Sequence, residues 1–260
     1  MTKNSAKVFD RNWEDYEDWF ERHKSIYSSE LKALKKVIPE GLGLEIGVGS
    51  GRFAQPLGAK IGIDPSRNML KLAKERGIQV IQGVGENLPF KDNIFDFVLI
   101  VVTLCFVENP VNVLSEARRV LKRGGRLIVG EINKDSQLGR FYEAKKEKSE
   151  FYKIATFYSG NEIIGMFDKV GIRYLESYQT LLQPLAFPEM QEEPVKGYDG
   201  GGFVVIVGNK KIFIEAASYR EAKGGAPEKV RKLKIREIVI DLLEYNKEEK
   251  NGTHKSARSF

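Results

Sequence analysis

One short stretch constrains the fold more than any other part of this 260-residue chain. Residues 42–46 form an apolar run of strand length, and the run passes directly into Gly47-Val48-Gly49-Ser50-Gly51. This pattern predicts a buried strand, a tight glycine turn and then a helix. Glycine at alternate positions permits left-handed backbone angles and lets a ligand approach the main chain closely. The following helix would direct its free N–H groups at a ligand in the same crevice.

Two common kinds of nucleotide site are disfavoured by the details of this turn. The dinucleotide pattern G-x-G-x-x-G requires glycine where this chain has Arg52, and no Gly-Lys-Ser/Thr follows, as a Walker-type phosphate site requires. A second short strand then ends in an acid, in the sequence Gly62-Ile63-Asp64-Pro65-Ser66. An acid at this point is placed to accept hydrogen bonds from a ribose diol, so the sequence predicts a nucleoside site.

Four ordered motifs carry a resemblance to a known family. They are LEIGVGSGRF, GIDPS, GENLPFKDNIFDFVLI and LKRGGRLIVGEI, between residues 44 and 132. Together they resemble class I S-adenosylmethionine-dependent methyltransferases, in particular the type 11 or UbiE-like small-molecule group. The resemblance extends over residues 40–208.

The resemblance and the residue patterns together predict an α/β fold, a doubly wound Rossmann-like sheet of seven strands. Strands one to six should run parallel and strand seven antiparallel. Residues 8–38 have helical spacing that ends at Pro39, so residues 1–40 are predicted as a helical cap and 41–209 as the methyltransferase domain. Residues 210–260 are predicted as an extension with an amphipathic helix and a disordered end.

Local signals predict the helices and strands within this fold. Helices should begin at Ser66 or Arg67, at Asn109 followed by Pro110, and at a Ser159–Glu162 capping box; the second of them should continue to Gly124. The remaining predicted strands are residues 78–81, 95–102, 126–130, 172–182 and 203–207, and residues 183–202 read as a loop.

The family's motifs imply S-adenosylmethionine as the cofactor and assign its contacts by position. These contacts are Glu45, Gly47, Val48, Gly49, Gly51, Asp64, Pro65, Gly85, Glu86 and Val101. Many relatives carry an acid that receives the adenine amino group where this chain has Val84. Adenine recognition is therefore expected to depend on backbone groups near Gly85 and Glu86, and Val101 is expected to contact the methionine moiety through its backbone.

The acceptor side is predicted from aromatic residues on segments that should converge beside the cofactor. Together they should enclose a mostly apolar cavity for a small acceptor. The residues are Tyr16, Trp19, Phe141, Tyr142, Phe151, Tyr152, Phe187 and Tyr198. Packing of these aromatic rings as an ordinary helical core is the alternative.

Little in the sequence identifies a catalytic group, and the catalytic residues stay unassigned. Methyl transfer from a sulfonium mainly needs alignment and exclusion of water, and a base only if the nucleophile arrives protonated. Glu131, Tyr16 and Tyr142 are conceivable bases. Cys105 lacks a proline-cysteine motif and reads as a core thiol. With only two histidines, and no histidine, cysteine and aspartate cluster at ligand spacing, no metal is expected.

Composition leaves three classes of function open. The favoured one is a methyltransferase for a small-molecule acceptor; an RNA or protein methyltransferase and a non-catalytic S-adenosylmethionine-binding protein are the alternatives. The net charge of +6 supports nucleic-acid binding only weakly because the lysines are spread along the chain. A single cysteine, no apolar leader and no membrane-length apolar run predict a cytoplasmic protein without a membrane partner.

Overall fold

The computed structural model describes residues 3–183 and 191–210. Its helices are α1 (Lys3–Arg11), α2 (Trp13–Arg22), α3 (Lys24–Lys35), α4 (Ala54–Leu57), α5 (Arg67–Glu75), α6 (Pro110–Val120), α7 (Gln137–Lys145) and α8 (Gly160–Lys169). Its strands are β1 (Gly43–Ile46), β2 (Ile61–Asp64), β3 (Gln79–Gln82), β4 (Phe95–Val101), β5 (Leu121–Ile132), β6 (Ile172–Thr180), β7 (Val195–Lys196) and β8 (Phe203–Lys210).

The strands form one mixed sheet in the order β3-β2-β1-β4-β5-β8-β6-β7. Strands β1 to β5 are joined by parallel pairing, and β8 lies antiparallel between β5 and β6. Strand β6 therefore runs in the same direction as β1 to β5. The predicted Rossmann-like architecture, with six parallel strands and an antiparallel last strand, is confirmed. The central strand β4 is apolar and buried on both faces, as a strand covered by helices on both sides requires.

The predicted count of seven strands is wrong by one. Val195 and Lys196 lie within the segment predicted as a loop, and they form the edge strand β7 against Tyr178 and Gln179 of β6. Two exposed residues carry too little alternation of polar and apolar side chains to be recognised as a strand from sequence. Their pairing is decided by the neighbouring edge of β6.

The predicted cap is helical, but the helical spacing over residues 8–38 belongs to three helices. The first break lies at Asn12, whose side-chain amide donates to the Val8 carbonyl at 2.9 Å. The second lies at His23, whose Nδ1 is 2.9 Å from the Trp19 carbonyl oxygen. The turns redirect the chain so that Phe20 packs against the sheet in one cluster with Leu34.

Helix starts were predicted better than helix ends. The side chains of Ser66 and Asn109 accept backbone N–H groups as N-caps, and Ser159 with Glu162 forms the predicted capping box. The helix predicted to reach Gly124 ends at Val120 instead, because the next residue already pairs with β4 as the first residue of β5. Residues 211–260, with the predicted amphipathic helix and disordered end, lie outside the described residues.

Candidate functional site

The glycine turn between β1 and α4 uses positive φ angles at Gly47 (72°), Gly49 (51°) and Gly51 (83°). A Cβ atom at Gly47 would lie 2.4 Å from Thr103 Cγ2, and one at Gly51 would lie 3.2 Å from the Cα of Ala73. These two glycines therefore allow close packing within the fold. A Cβ atom at Gly49 would meet only the phenol of Tyr16 within 4 Å, with the hydroxyl oxygen at 3.4 Å and Cζ at 3.9 Å, so the space beside the backbone of Gly49 is otherwise open.

Asp64, the last residue of β2, is 1% exposed and fixes the turn from the neighbouring strand. Its Oδ2 accepts the N–H of Gly49 at 3.0 Å, and its Oδ1 accepts the N–H of Ser66 at 2.8 Å. Burial raises the pKa of this carboxyl to about 6, although the two backbone hydrogen bonds act in the opposite direction. An ionised carboxylate has about four acceptor positions, so two remain for a ligand.

The turn after β4 is held in a strained conformation. Val102 has φ of 43°, an unusual angle for a β-branched residue. Glu131 at the end of β5 stabilises this turn, since its Oε1 accepts the N–H of Thr103 at 2.9 Å and that of Leu104 at 2.7 Å. Strain held by surrounding hydrogen bonds is frequent at functional sites.

Helix α2 is clamped to the glycine turn by an ion-pair cluster. One carboxylate oxygen of Glu17 accepts from Arg52 at 2.8 Å and from Arg76 at 2.6 Å. Arg76 also donates to the Ser50 carbonyl in the turn, at 2.7 Å. Burial disfavours the charged form of Glu17, yet the hydrogen bond from Arg52 and the contacts with Arg76 hold its pKa below the usual value. The cluster thus fixes the cap over the turn.

Helix α1 is attached to the opposite side of the turn. Oδ1 of Asp10 accepts the Ser66 hydroxyl at 2.8 Å and the N–H of Asn68 at 2.9 Å, at the start of α5. The hydroxyl of Ser5 donates to the Phe106 carbonyl at 3.1 Å. The cap is therefore joined to the domain on both sides.

Between the cap and the carboxyl ends of the strands lies a cavity of about 430 Å³, a size typical of small-ligand sites. Of the predicted cofactor contacts it brings together Gly47, Gly49, Asp64 and Val101. Most of the predicted aromatic residues line the same cavity. These are Tyr16, Trp19, Phe141, Tyr142, Phe151 and Tyr152.

One described aromatic residue of the prediction, Tyr198, is not among those that line the cavity. Tyr198 instead packs beside Gly160, where a Cβ atom would lie 2.5 Å from its ring, and its ring stands edge-on to Tyr174. Phe187 lies outside the described residues.

Other predicted cofactor contacts are not among the residues that line the cavity. Val48 packs on Gly62, where a Cβ atom would lie 2.6 Å from it, and Gly85 leaves no room for a Cβ atom beside Ile46. The Oε2 atom of Glu45 is buried without a hydrogen-bond partner in the described structure. The other predicted cofactor contacts that do not line the cavity are Gly51, Pro65 and Glu86.

The three conceivable bases differ in position. Glu131 does not line the cavity, and burial raises its pKa to about 7 while its oxygen is occupied by backbone N–H groups. Tyr16 and Tyr142 do line it, and burial raises the pKa of both phenols, so neither ionises near neutral pH. Cys105 is buried, as predicted for a core thiol.

Several residues that line the cavity were not predicted from the sequence, and one of them is a buried acid. Glu30 of α3 lines the cavity and is 5% exposed. The sequence does contain a signal, because Glu30 lies between Ile26 and Leu34 on one stripe of the helix, where an acid interrupts apolar spacing.

Two other kinds of feature are absent from the described residues. No group of three or more histidine, cysteine, aspartate or glutamate side chains there could hold a metal ion. None of the helices in this part of the chain has the length and apolar character needed to cross a membrane.

Comparison with known proteins was made by family model and by relatives in sequence. A family model described as a methyltransferase domain matches residues 44–129. The chain is 50% identical over 203 residues to an uncharacterized protein of Methanocaldococcus jannaschii, covering 78% of this chain and 98% of that one. It is 27% identical over 190 residues to demethylmenaquinone methyltransferase of Bacillus cereus, covering 60% and 80%.

A solved structure is similar over most of the chain. It is the crystal structure of an S-adenosylmethionine-dependent methyltransferase from Thermotoga maritima, described as a possible histamine N-methyltransferase. Sequence identity is 48% and the TM-score is 0.77, with 80% of this chain and all (100%) of that chain covered.

Proposed function

Because the chain belongs to the S-adenosylmethionine-dependent methyltransferases, we propose that it transfers the methyl group to a small-molecule acceptor held in the cavity beneath the cap. The observation that carries this proposal is the cavity itself. It joins the glycine turn and Asp64 to walls of aromatic side chains within about 430 Å³. A space of this size suits a small organic molecule better than a folded RNA.

The turn offers features that fit the cofactor. The backbone at Gly49 is open where a side chain would intrude, and Asp64 retains acceptor positions beyond the two that the backbone occupies. We propose that Asp64 binds the ribose hydroxyls, that the glycine turn accommodates the cofactor's main body, and that the backbone at Val101 contacts the methionine portion. Contacts at Glu45, Val48, Gly51, Pro65, Gly85 and Glu86 remain part of this proposal.

S-adenosylmethionine supplies a methyl group that is already activated on a sulfonium. The protein's residues then need to hold the acceptor in line and exclude water. The cap side chains Tyr16 and Trp19 are suited to exclude water, and Glu131 fixes the turn on which Val101 and Thr103 lie. The phenols of the cavity keep their protons near neutral pH, so we assign no general base among them.

We also propose a cytoplasmic location, on the state of the lone cysteine. The lone cysteine is buried and unpaired, which fits a reducing cytoplasm. Among the described residues that line the cavity, the basic side chains are Arg22, Lys145 and Lys148, and all three are exposed, so we do not propose a nucleic-acid partner.

Transfer of a labelled methyl group tests the acceptor class. The full chain is incubated with methyl-labelled S-adenosylmethionine and cell extract, and the label is followed into small molecules, RNA and protein. We expect label in the small-molecule fraction, unaffected by prior treatment of the extract with ribonuclease. Label that appears in RNA or protein would instead favour the macromolecular alternatives, and binding without any transfer would favour a non-catalytic role.

A further inference from the structure

The side chain of Glu30 is a buried acid that the proposed chemistry has not used. It lies on α3, lines the cavity and is 5% exposed. Within the described residues its carboxyl makes no hydrogen bond and no ion pair. A buried charged group without a partner is costly, so such a group is rarely kept in a core without a role.

The surroundings of Glu30 are aromatic, not basic. Its carboxylate is close enough to Tyr142 and Tyr152 to contribute, after burial, to the raised pKa values of both phenols. Both phenols are therefore neutral near pH 7. The basic side chains that line the cavity, Arg22, Lys145 and Lys148, are exposed. The ammonium of Lys145 lies 4.0 Å from the ring centroid of Phe141.

The carboxyl of Glu30 therefore has no cationic partner among the described residues. Burial alone raises the pKa of Glu30 to about 8, since no positive charge among its neighbours lowers it. A cation that entered the cavity would pair with the carboxylate and lower this pKa again. The aromatic walls would also attract a cation through their ring faces.

From this geometry we infer that Glu30 binds a protonated nitrogen of the methyl acceptor, which makes the acceptor a small organic amine. The inference rests on the proposed small-molecule function and makes it narrower. A neutral acceptor offers no charge that would favour ionisation of Glu30, and an anionic acceptor would keep its carboxyl protonated, so neither would gain an ion pair there. An amine with an apolar body instead matches both the carboxyl and the aromatic walls.

Two probes of matched shape test this assignment. Phenethylamine and 2-phenylethanol share a ring and a two-carbon chain, and differ in having an ammonium or a hydroxyl. Their binding to the full chain is measured by calorimetry at pH 7 with saturating S-adenosylhomocysteine. We expect the wild type to bind the amine at least about tenfold more tightly, the gain typical of a charge-assisted hydrogen bond. Glu30→Gln should lose this preference while keeping its affinity for S-adenosylhomocysteine.

A matched control and a second readout separate recognition from a structural role. Glu14→Gln removes an exposed acid from the same cap and should keep the preference. Binding of the amine should release close to one proton in the wild type, because the carboxyl ionises, and none in Glu30→Gln. Proton release is obtained by repeating the titration in phosphate and in Tris. Retention of the cofactor-product affinity shows that the variant is folded.

The outcomes separate this inference from the proposed function. Equal preference in wild type and Glu30→Gln, or a wild type that does not favour the amine, overturns the role of Glu30. A wild type that binds neither phenethylamine nor 2-phenylethanol also overturns the role of Glu30. If the wild type binds 2-phenylethanol as tightly as phenethylamine, the small-molecule function stands without an amine acceptor. Entry of labelled methyl into RNA or protein alone would remove the small-molecule function itself.

Discussion

The two ends of the cavity are built in different ways. The end formed by the glycine turn and Asp64 consists of main-chain atoms and one buried carboxylate, all on β1, β2 and the turns after them. The cap end consists of side chains from α2, α3 and α7 and from the segment around Tyr152, and many of them are aromatic. The difference teaches that an end built from the backbone is suited to a constant ligand, whereas an end built from side chains is suited to a ligand that changes with them.

We call the end of the cavity formed by the glycine turn and Asp64 the backbone end. The largest expected effect comes from a side chain that blocks it. Gly49→Val should abolish binding of S-adenosylhomocysteine, because a branched side chain would fill the open side of the turn and strain a φ of 51°. Gly77→Ala is the matched control, since it also has a positive φ, 83°, but nothing within 4 Å of its added Cβ atom. Calorimetry should show unchanged affinity for the control, and binding by Gly49→Val would contradict the proposed placement.

Asp64 tests the polar part of the same end. Asp64→Ala should weaken cofactor binding by about 3 kcal/mol, because charge-assisted hydrogen bonds contribute roughly 1.5 to 3 kcal/mol each. With a pKa raised to about 6, the wild-type carboxyl is ionised above pH 6 and protonated below it. Wild-type affinity should therefore fall as the pH falls through 6, and the variant should lack this step. Titrations at pH 5 and 8 check both statements, and equal affinities of wild type and variant would argue against a ribose contact.

At the cap end, Glu30 should affect stability and its pH dependence. A folded-state pKa of about 8, raised from 4.5, means that the folded protein holds a proton that the unfolded chain releases. This contribution to stability is complete below pH 4.5 and is lost as the pH rises through 8. Glu30→Gln should therefore be more stable than wild type at pH 9, by about 2 kcal/mol or more. Denaturant titrations of both proteins at pH 5 and 9 would measure this difference. An equal fall in the free energy of unfolding of the two proteins between these pH values would contradict the prediction.

Loss of the ion-pair cluster of Glu17, Arg52 and Arg76 should have a smaller effect. Glu17→Gln leaves Arg52 and Arg76 without their shared carboxylate, and should reduce the free energy of unfolding by about 1 to 2 kcal/mol, between the values for exposed and buried pairs. Faster amide exchange in α2 than in α8 would show that the loss is local to the cap. Glu14→Gln, on the same helix but exposed, should be nearly neutral.

The smallest effect is expected where the backbone end departs from the family pattern. Val84→Asp adds the acid that many relatives carry, at a half-buried position after β3. We expect the affinity for S-adenosylhomocysteine to be unchanged or slightly higher, because the carboxylate could accept the adenine amino hydrogen. Loss of binding in a folded variant would show that adenine is held differently.

What the sequence determined by itself is the backbone end. The strand, the glycine turn and Asp64 follow from residues close together in the chain, and parallel strands necessarily bring their carboxyl ends to one edge of the sheet. The capping residues at Ser66, Asn109 and Ser159 were equally readable, because a cap depends on an N–H group two or three residues away.

Only the tertiary structure decided the cap end. Glu17 meets Arg76 across 59 positions and Asp10 meets Ser66 across 56, and no local pattern specifies such pairs. Glu30 likewise lines one cavity with side chains of α7 and of the segment around Tyr152, which lie far from it in sequence. The end of α6 and the two-residue strand β7 depend on pairing with strands distant in sequence. Local signals determine how a segment begins, whereas packing determines where it stops and which side chains it encloses.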